Sequence, residues 1–90
     1  MQVIKIGAMW CPSCLIMNKV IREVFNDYPE IILKELDYDM DNGEVKEYNV
    51  GKILPVLIFL SSDGIELGRI IGEKNSQELR KEVNHYAENN

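Results

Sequence analysis

The chain has only two cysteines, Cys11 and Cys14, and they fall in the run Met9-Trp10-Cys11-Pro12-Ser13-Cys14, directly after its only tryptophan. A C-x-x-C pair serves three kinds of chemistry: half of a zinc site, a structural disulfide, or a dithiol that is oxidised and reduced in turn. A structural zinc ion takes four protein ligands, and beyond the two thiols the sequence supplies only His85, far along the chain. No metal centre is therefore expected within one chain, and a dimer sharing two such pairs is the remaining metal route. His85 itself is read as a half-exposed helix residue near the C-terminus.

The redox reading uses position. Pro12 suits the first residue of a helix, where its missing N–H leaves nothing unpaired. Cys11 then sits at the helix N-terminus, where free backbone N–H groups and the helix dipole are expected to hold its pKa below the free value near ~8.5. Cys14, one turn along, is placed to attack a mixed disulfide formed at Cys11. The Pro12 ring stiffens the segment between the sulfurs, and Ser13 is small enough to keep them accessible.

The elements that must position this pair follow from the apolar pattern. Residues 2–8 are β-branched and end in Gly7-Ala8, as a short buried strand does. From Pro12, apolar residues Leu15, Ile16, Val20, Ile21, Val24 and Phe25 recur at helical spacing until Asp27-Tyr28-Pro29 ends them. Residues 31–37 read as a second strand, parallel to the first, and a short helix follows through Val45 and Tyr48. The run Leu54-Pro55-Val56-Leu57-Ile58-Phe59-Leu60 is expected to be a central strand covered on both faces. Ser61-Ser62-Asp63-Gly64 turns it into a hairpin with residues 65–71, and Asn75 or Ser76 caps a last helix carrying Leu79, Val83 and Tyr86. The order is βαβαββα, an α/β fold. Pro55 stands at the entry of the central strand, a place that tolerates proline and where a cis bond turns the chain sharply.

Composition bounds the function classes. Ninety residues, 46% hydrophobic and 28% charged, make a single domain over residues 1–90. A formal charge of −5 argues against a broad nucleic-acid surface. No apolar run approaches the ~18 residues of a membrane span, and the N-terminus does not read as a secretory signal. A cytoplasmic location is expected, and in that reducing compartment a lone cysteine pair is more often catalytic or metal-binding than a staple. The acidic run Asp37, Asp39, Asp41 places Asn42 and Tyr48 where a calcium loop needs glycine and glutamate, so it is read as a solvated connection with Asp41 or Asn42 capping the short helix. Gly68 and Gly72 have membrane-dimer spacing but enclose Arg69, and Met9 and Met17 are read as packing fillers.

Together, Trp-Cys-Pro-Ser-Cys after a first strand, Leu-Pro-Val at the head of an apolar strand, Asp-Gly in a hairpin and Leu36-Asp37-Tyr38-Asp39 before Gly43 and Tyr48 resemble the thioredoxin family over nearly the whole chain. The resemblance implies a thioredoxin-like fold, a four-stranded mixed sheet flanked by three helices, without the extra N-terminal strand and helix of ordinary thioredoxins. It implies a thiol–disulfide oxidoreductase with Cys11 as nucleophile, Cys14 as resolving thiol and no prosthetic group beyond the Cys11–Cys14 couple. It implies a substrate groove formed by Trp10, Pro12, Leu54, cis-Pro55, Ile71 and Gly72. The partners implied are a disulfide-containing protein and a reductase or glutathione as electron donor, with the protein acting as a monomer.

The sequence also departs from the family. Thioredoxins usually carry a buried acid six residues before the first cysteine, where this chain has Lys5, and a lysine just before L-x-x-D, where it has Glu35. A reversed Lys5–Glu35 pair beneath Cys14 is expected to tune the thiol, since either charge buried alone is costly, and Glu35 is then a proton-acceptor candidate. The alternative is that both side chains extend to solvent. Two other functions remain on the sequence alone: a glutaredoxin-like, glutathione-dependent exchanger, for which C-P-S-C, L-P-V and I-G-E-K are weak matches, and a non-catalytic redox-sensing or binding module.

Overall fold

The structure is a computed structural model that describes residues 1–88. Its elements are β1 (Gln2–Gly7), α1 (Pro12–Phe25), β2 (Ile32–Asp37), α2 (Asn42–Glu47), β3 (Val56–Leu60), β4 (Glu66–Ile71) and α3 (Ser76–Glu88), in the expected order. One sheet runs β2-β1-β3-β4, with β1 parallel to β2 and antiparallel to β3, and β3 antiparallel to β4.

Strand alternation divides the core between the two faces. On one face Val3, Leu57, Phe59 and Ile70 pack against Met17, Ile21 and Val24 of α1 and Leu79 and Val83 of α3. Ile4, Ile6, Val56 and Ile58 belong to a second cluster with Val45 of α2, and this cluster also holds both cysteines. Every residue of β3 is buried, as a strand covered on both sides must be. Phe59 and Tyr86 stack with ring centroids 4.5 Å apart and so tie α3 to the sheet.

Local chemistry sets the element ends. Asn75 Oδ1 accepts the Glu78 N–H at 2.8 Å while Glu78 Oε1 accepts the Asn75 N–H at 3.1 Å, a reciprocal capping box that starts α3. Gly64 turns the hairpin at φ 81° and donates its N–H to Ser61 O.

Three expectations change. Leu15 and Ile16 are 61% and 54% exposed, and the buried stripe of α1 is Cys14, Met17, Ile21 and Val24. Each residue advances about 100° around a helix, so the two positions after Cys14 rotate away from the sheet. Met17 fills the core, but Met9 is exposed because it lies in the turn beyond the end of β1. Asp41 occupies the cap position of α2 without a side-chain capping bond; its Oδ2 accepts the Asp37 N–H at 2.7 Å instead and closes the preceding turn.

Candidate active site

Cys11 is the N-cap of α1 in extended conformation, with Pro12 following in the first turn. Its Sγ accepts the Cys14 N–H at 3.2 Å, a first-turn donor that the sulfur shares with Cys11 O at 3.1 Å. The same sulfur lies 3.7 Å from Leu54 O, the carbonyl preceding Pro55, and the Leu54–Pro55 peptide is cis. Both cysteines are free thiols and both are buried, Cys14 more completely. Burial pushes the Cys14 thiol up to about 11, helped by its hydrogen bond to Cys11, while the Ala8 backbone and the charge of Lys5 act in the opposite direction.

Of the residues expected to form the groove, Leu54 meets Cys11 through its carbonyl, and the others lie on the segments next to the cysteine pair or to the cis-proline. Trp10 is exposed; its indole N–H donates to Asp39 Oδ2 at 2.7 Å and its ring meets Tyr38 edge-on. Pro12 is exposed beside the thiols. Gly72 donates its N–H to Pro55 O at 2.9 Å, which joins the end of β4 to the head of β3. Gly72 adopts φ 90°, a conformation that favours glycine, and Ile71 beside it presents an exposed side chain. Two contributors escaped the sequence reading: Ile53, exposed and next to Gly72, and Asp39, the anchor of the indole. The L-D-Y-D run was the available signal for Asp39, since it must follow β2 to the same end of the sheet.

Behind Cys14 lies a recess of about 350 Å³ with a mixed lining, its polar side formed by Lys5, Asn18, Glu35, Asp37 and Asp41 and the rest by residues such as Gly7, Leu15 and Leu36. Lys5 and Glu35 are register partners on β1 and β2, and Lys5 Nζ stands 3.5 Å from Glu35 Oε1. The expected pair is therefore present but unequal: the Lys5 side chain is 11% exposed and that of Glu35 66%. Asn18, one turn beyond Cys14 on α1, takes the ammonium on its Oδ1, a partner the sequence reading missed. The i, i+4 spacing from Cys14 was the only sign of it. Among the described residues no group of three or more His, Cys, Asp or Glu side chains is arranged to hold a metal ion, and His85 is exposed on α3, packed edge-on to Tyr86.

A dithiol at a helix N-terminus facing a cis-proline on a four-stranded mixed sheet defines a thioredoxin-fold protein. The thioredoxin family model matches residues 1–85, and the chain belongs to that family of thiol–disulfide oxidoreductases. It is 30% identical over 74 residues to the H-type thioredoxin of Picea mariana, covering 82% of this chain and 58% of that one. It is 24% identical over 80 residues to a thioredoxin of Chlamydia pneumoniae, 89% of this chain and 76% of that one. Among solved structures, oxidised mitochondrial thioredoxin 3 of Saccharomyces cerevisiae superposes with a TM-score of 0.81 at 28% identity, over 93% of this chain and 76% of the other.

Proposed function

We propose that this chain reduces protein disulfides, with Cys11 as nucleophile and Cys14 as resolving thiol. The Cys11 thiolate attacks one sulfur of a substrate disulfide; a Cys11–substrate S–S bond forms, the substrate S–S bond breaks, and the departing thiolate takes a proton from water. Cys14, having given its proton to solvent, then attacks Cys11 Sγ; the Cys11–Cys14 disulfide forms and the second substrate sulfur leaves as a thiolate. Two electrons pass to the substrate, and a dithiol reductase returns them to the pair. Leu54 offers its backbone to an extended substrate segment, with Trp10, Pro12, Pro55, Ile71 and Gly72 as the walls. We assign this activity to a reducing cytoplasmic compartment, where such a couple is kept poised as a dithiol.

The observation that carries the reading is the position of Cys11 Sγ, between the Cys14 N–H and the carbonyl before the cis-proline. Reduction of insulin disulfides with dithiothreitol as electron source tests it. Wild-type turnover, its loss in Cys11→Ser, and a trapped covalent adduct in Cys14→Ser are the expected results. Turnover retained in Cys11→Ser overturns the mechanism.

A further inference from the structure

Strand alternation puts Val3, Lys5 and Gly7 on the face of β1 that α1 covers. Gly7 lies between Cys14 and Lys5: a Cβ built on it would be in ordinary contact with both, 3.4 Å from Cys14 Sγ and 3.8 Å from Lys5 Cε. The resolving sulfur and the lysine stem thus border the same space. The lysine is not there to satisfy a buried acid, since its one carboxylate partner is mostly in water and its nearest hydrogen-bond acceptor, Asn18, is neutral.

We propose that Lys5 is an electrostatic positioning residue for the resolving step, its buried ammonium favouring the Cys14 thiolate as that sulfur attacks the mixed disulfide. This rests on Cys14 being the resolving thiol. The argument is one of unequal screening. The field of an exposed carboxylate is damped by solvent, whereas that of a buried cation reaches its buried neighbours. Asn18 fixes the ammonium without cancelling its charge. The recess lets the Cys14 proton leave to water, a transfer the positive lysine cannot itself accept.

The timing follows from the groups around Cys14. Cys11 opposes ionisation of Cys14 through both its hydrogen bond and its charge, while Lys5 favours it. Once Cys11 is covalently bound to substrate, its charge is gone and that of Lys5 remains. The other titratable groups on this side are Glu35 and Asp37 of β2 and Asp41 before α2, which border the recess and oppose a thiolate, and the phenols Tyr38 and Tyr48, which pack on the same cluster. The β3 residues of that cluster are apolar.

The test is stopped-flow release of thionitrobenzoate from the aromatic disulfide dithiobis(nitrobenzoate), in which the first phase reports attack by Cys11 and the second resolution by Cys14. In Lys5→Met the second phase is expected to slow about tenfold near neutral pH, with its pH midpoint moved up by about one unit, while Lys5→Arg keeps the wild-type profile. Glu35→Gln, at an exposed position that leaves folding intact, is expected to move the midpoint down by less than Lys5→Met moves it up, because solvent screens that carboxylate. An unchanged second-phase profile in folded Lys5→Met overturns the assignment, as does slowing in Glu35→Gln, which would make Glu35 the base. A wild-type protein with no second phase would instead remove the resolving role of Cys14, a different failure.

Discussion

Gly68 of β4 lies against the ring of Tyr86 on α3, so close that a Cβ at Gly68 would stand 2.6 Å from ring carbons Cε1 and Cζ. The ring cannot withdraw freely, because it is stacked on Phe59, the register partner of Gly68 on β3. Gly68→Ala is therefore expected to destabilise the protein by roughly 1–3 kcal/mol, the usual cost of overpacking. Urea unfolding measures it. Adding Tyr86→Leu is expected to return part of the loss, since the two positions share one contact; purely additive losses would separate them. Disulfide reduction by Gly68→Ala at a temperature where it stays folded is expected to be unchanged.

The raised Cys14 thiol makes the stability of the dithiol form depend on pH. Between the ordinary thiol value of 9.0 and about 11, the unfolded chain has lost this proton and the folded one still holds it. The unfolded state then binds fewer protons, so stability falls as pH rises, by about 1 kcal/mol per pH unit at most, and the contribution is fully present below pH 9.0. Denaturant midpoints across this range, for wild type and for Cys14→Ser with Cys11 kept, isolate the effect. The serine variant is expected to show a shallower decline, and equal slopes would count against it.

The Trp10–Asp39 hydrogen bond joins two exposed residues, so losing it should leave stability within about 0.5 kcal/mol. Its consequence is for substrate. Asp39→Ala frees the indole to rotate over the groove, and the expected result is a KM for a protein disulfide raised a few-fold with little change in reactivity toward a small aromatic disulfide. Equal effects on both substrates would mean the bond acts on the thiols and not on the groove.

Much of this architecture was legible because each element carried its own signal. The buried β3 run, the proline and glycine punctuation and the Asn75 cap state their roles locally, and the family motifs place Cys11, Cys14 and Pro55. What the sequence hid depended on rotation and reach. Leu15 and Ile16 have the composition of a core stripe, and only the seat of α1 on the sheet turns them outward. The pairing of Lys5 with Glu35 was suggested by the exchange of the family's two charges, but the inequality of the pair was not: it depends on how far each side chain lies from the sheet edge. Asn18 is one polar residue among several on α1 until the helix phase sets it over β1.

Because the indole of Trp10 is fixed at its N–H by the loop after β2 and at its ring edge by Tyr38, the one tryptophan is tied to a segment outside its own. It abuts the reactive sulfur in sequence and the acidic loop in space. Its emission is therefore expected to be a built-in optical gauge of that end of the molecule, changing with disulfide formation, with a seated substrate and with release of the loop.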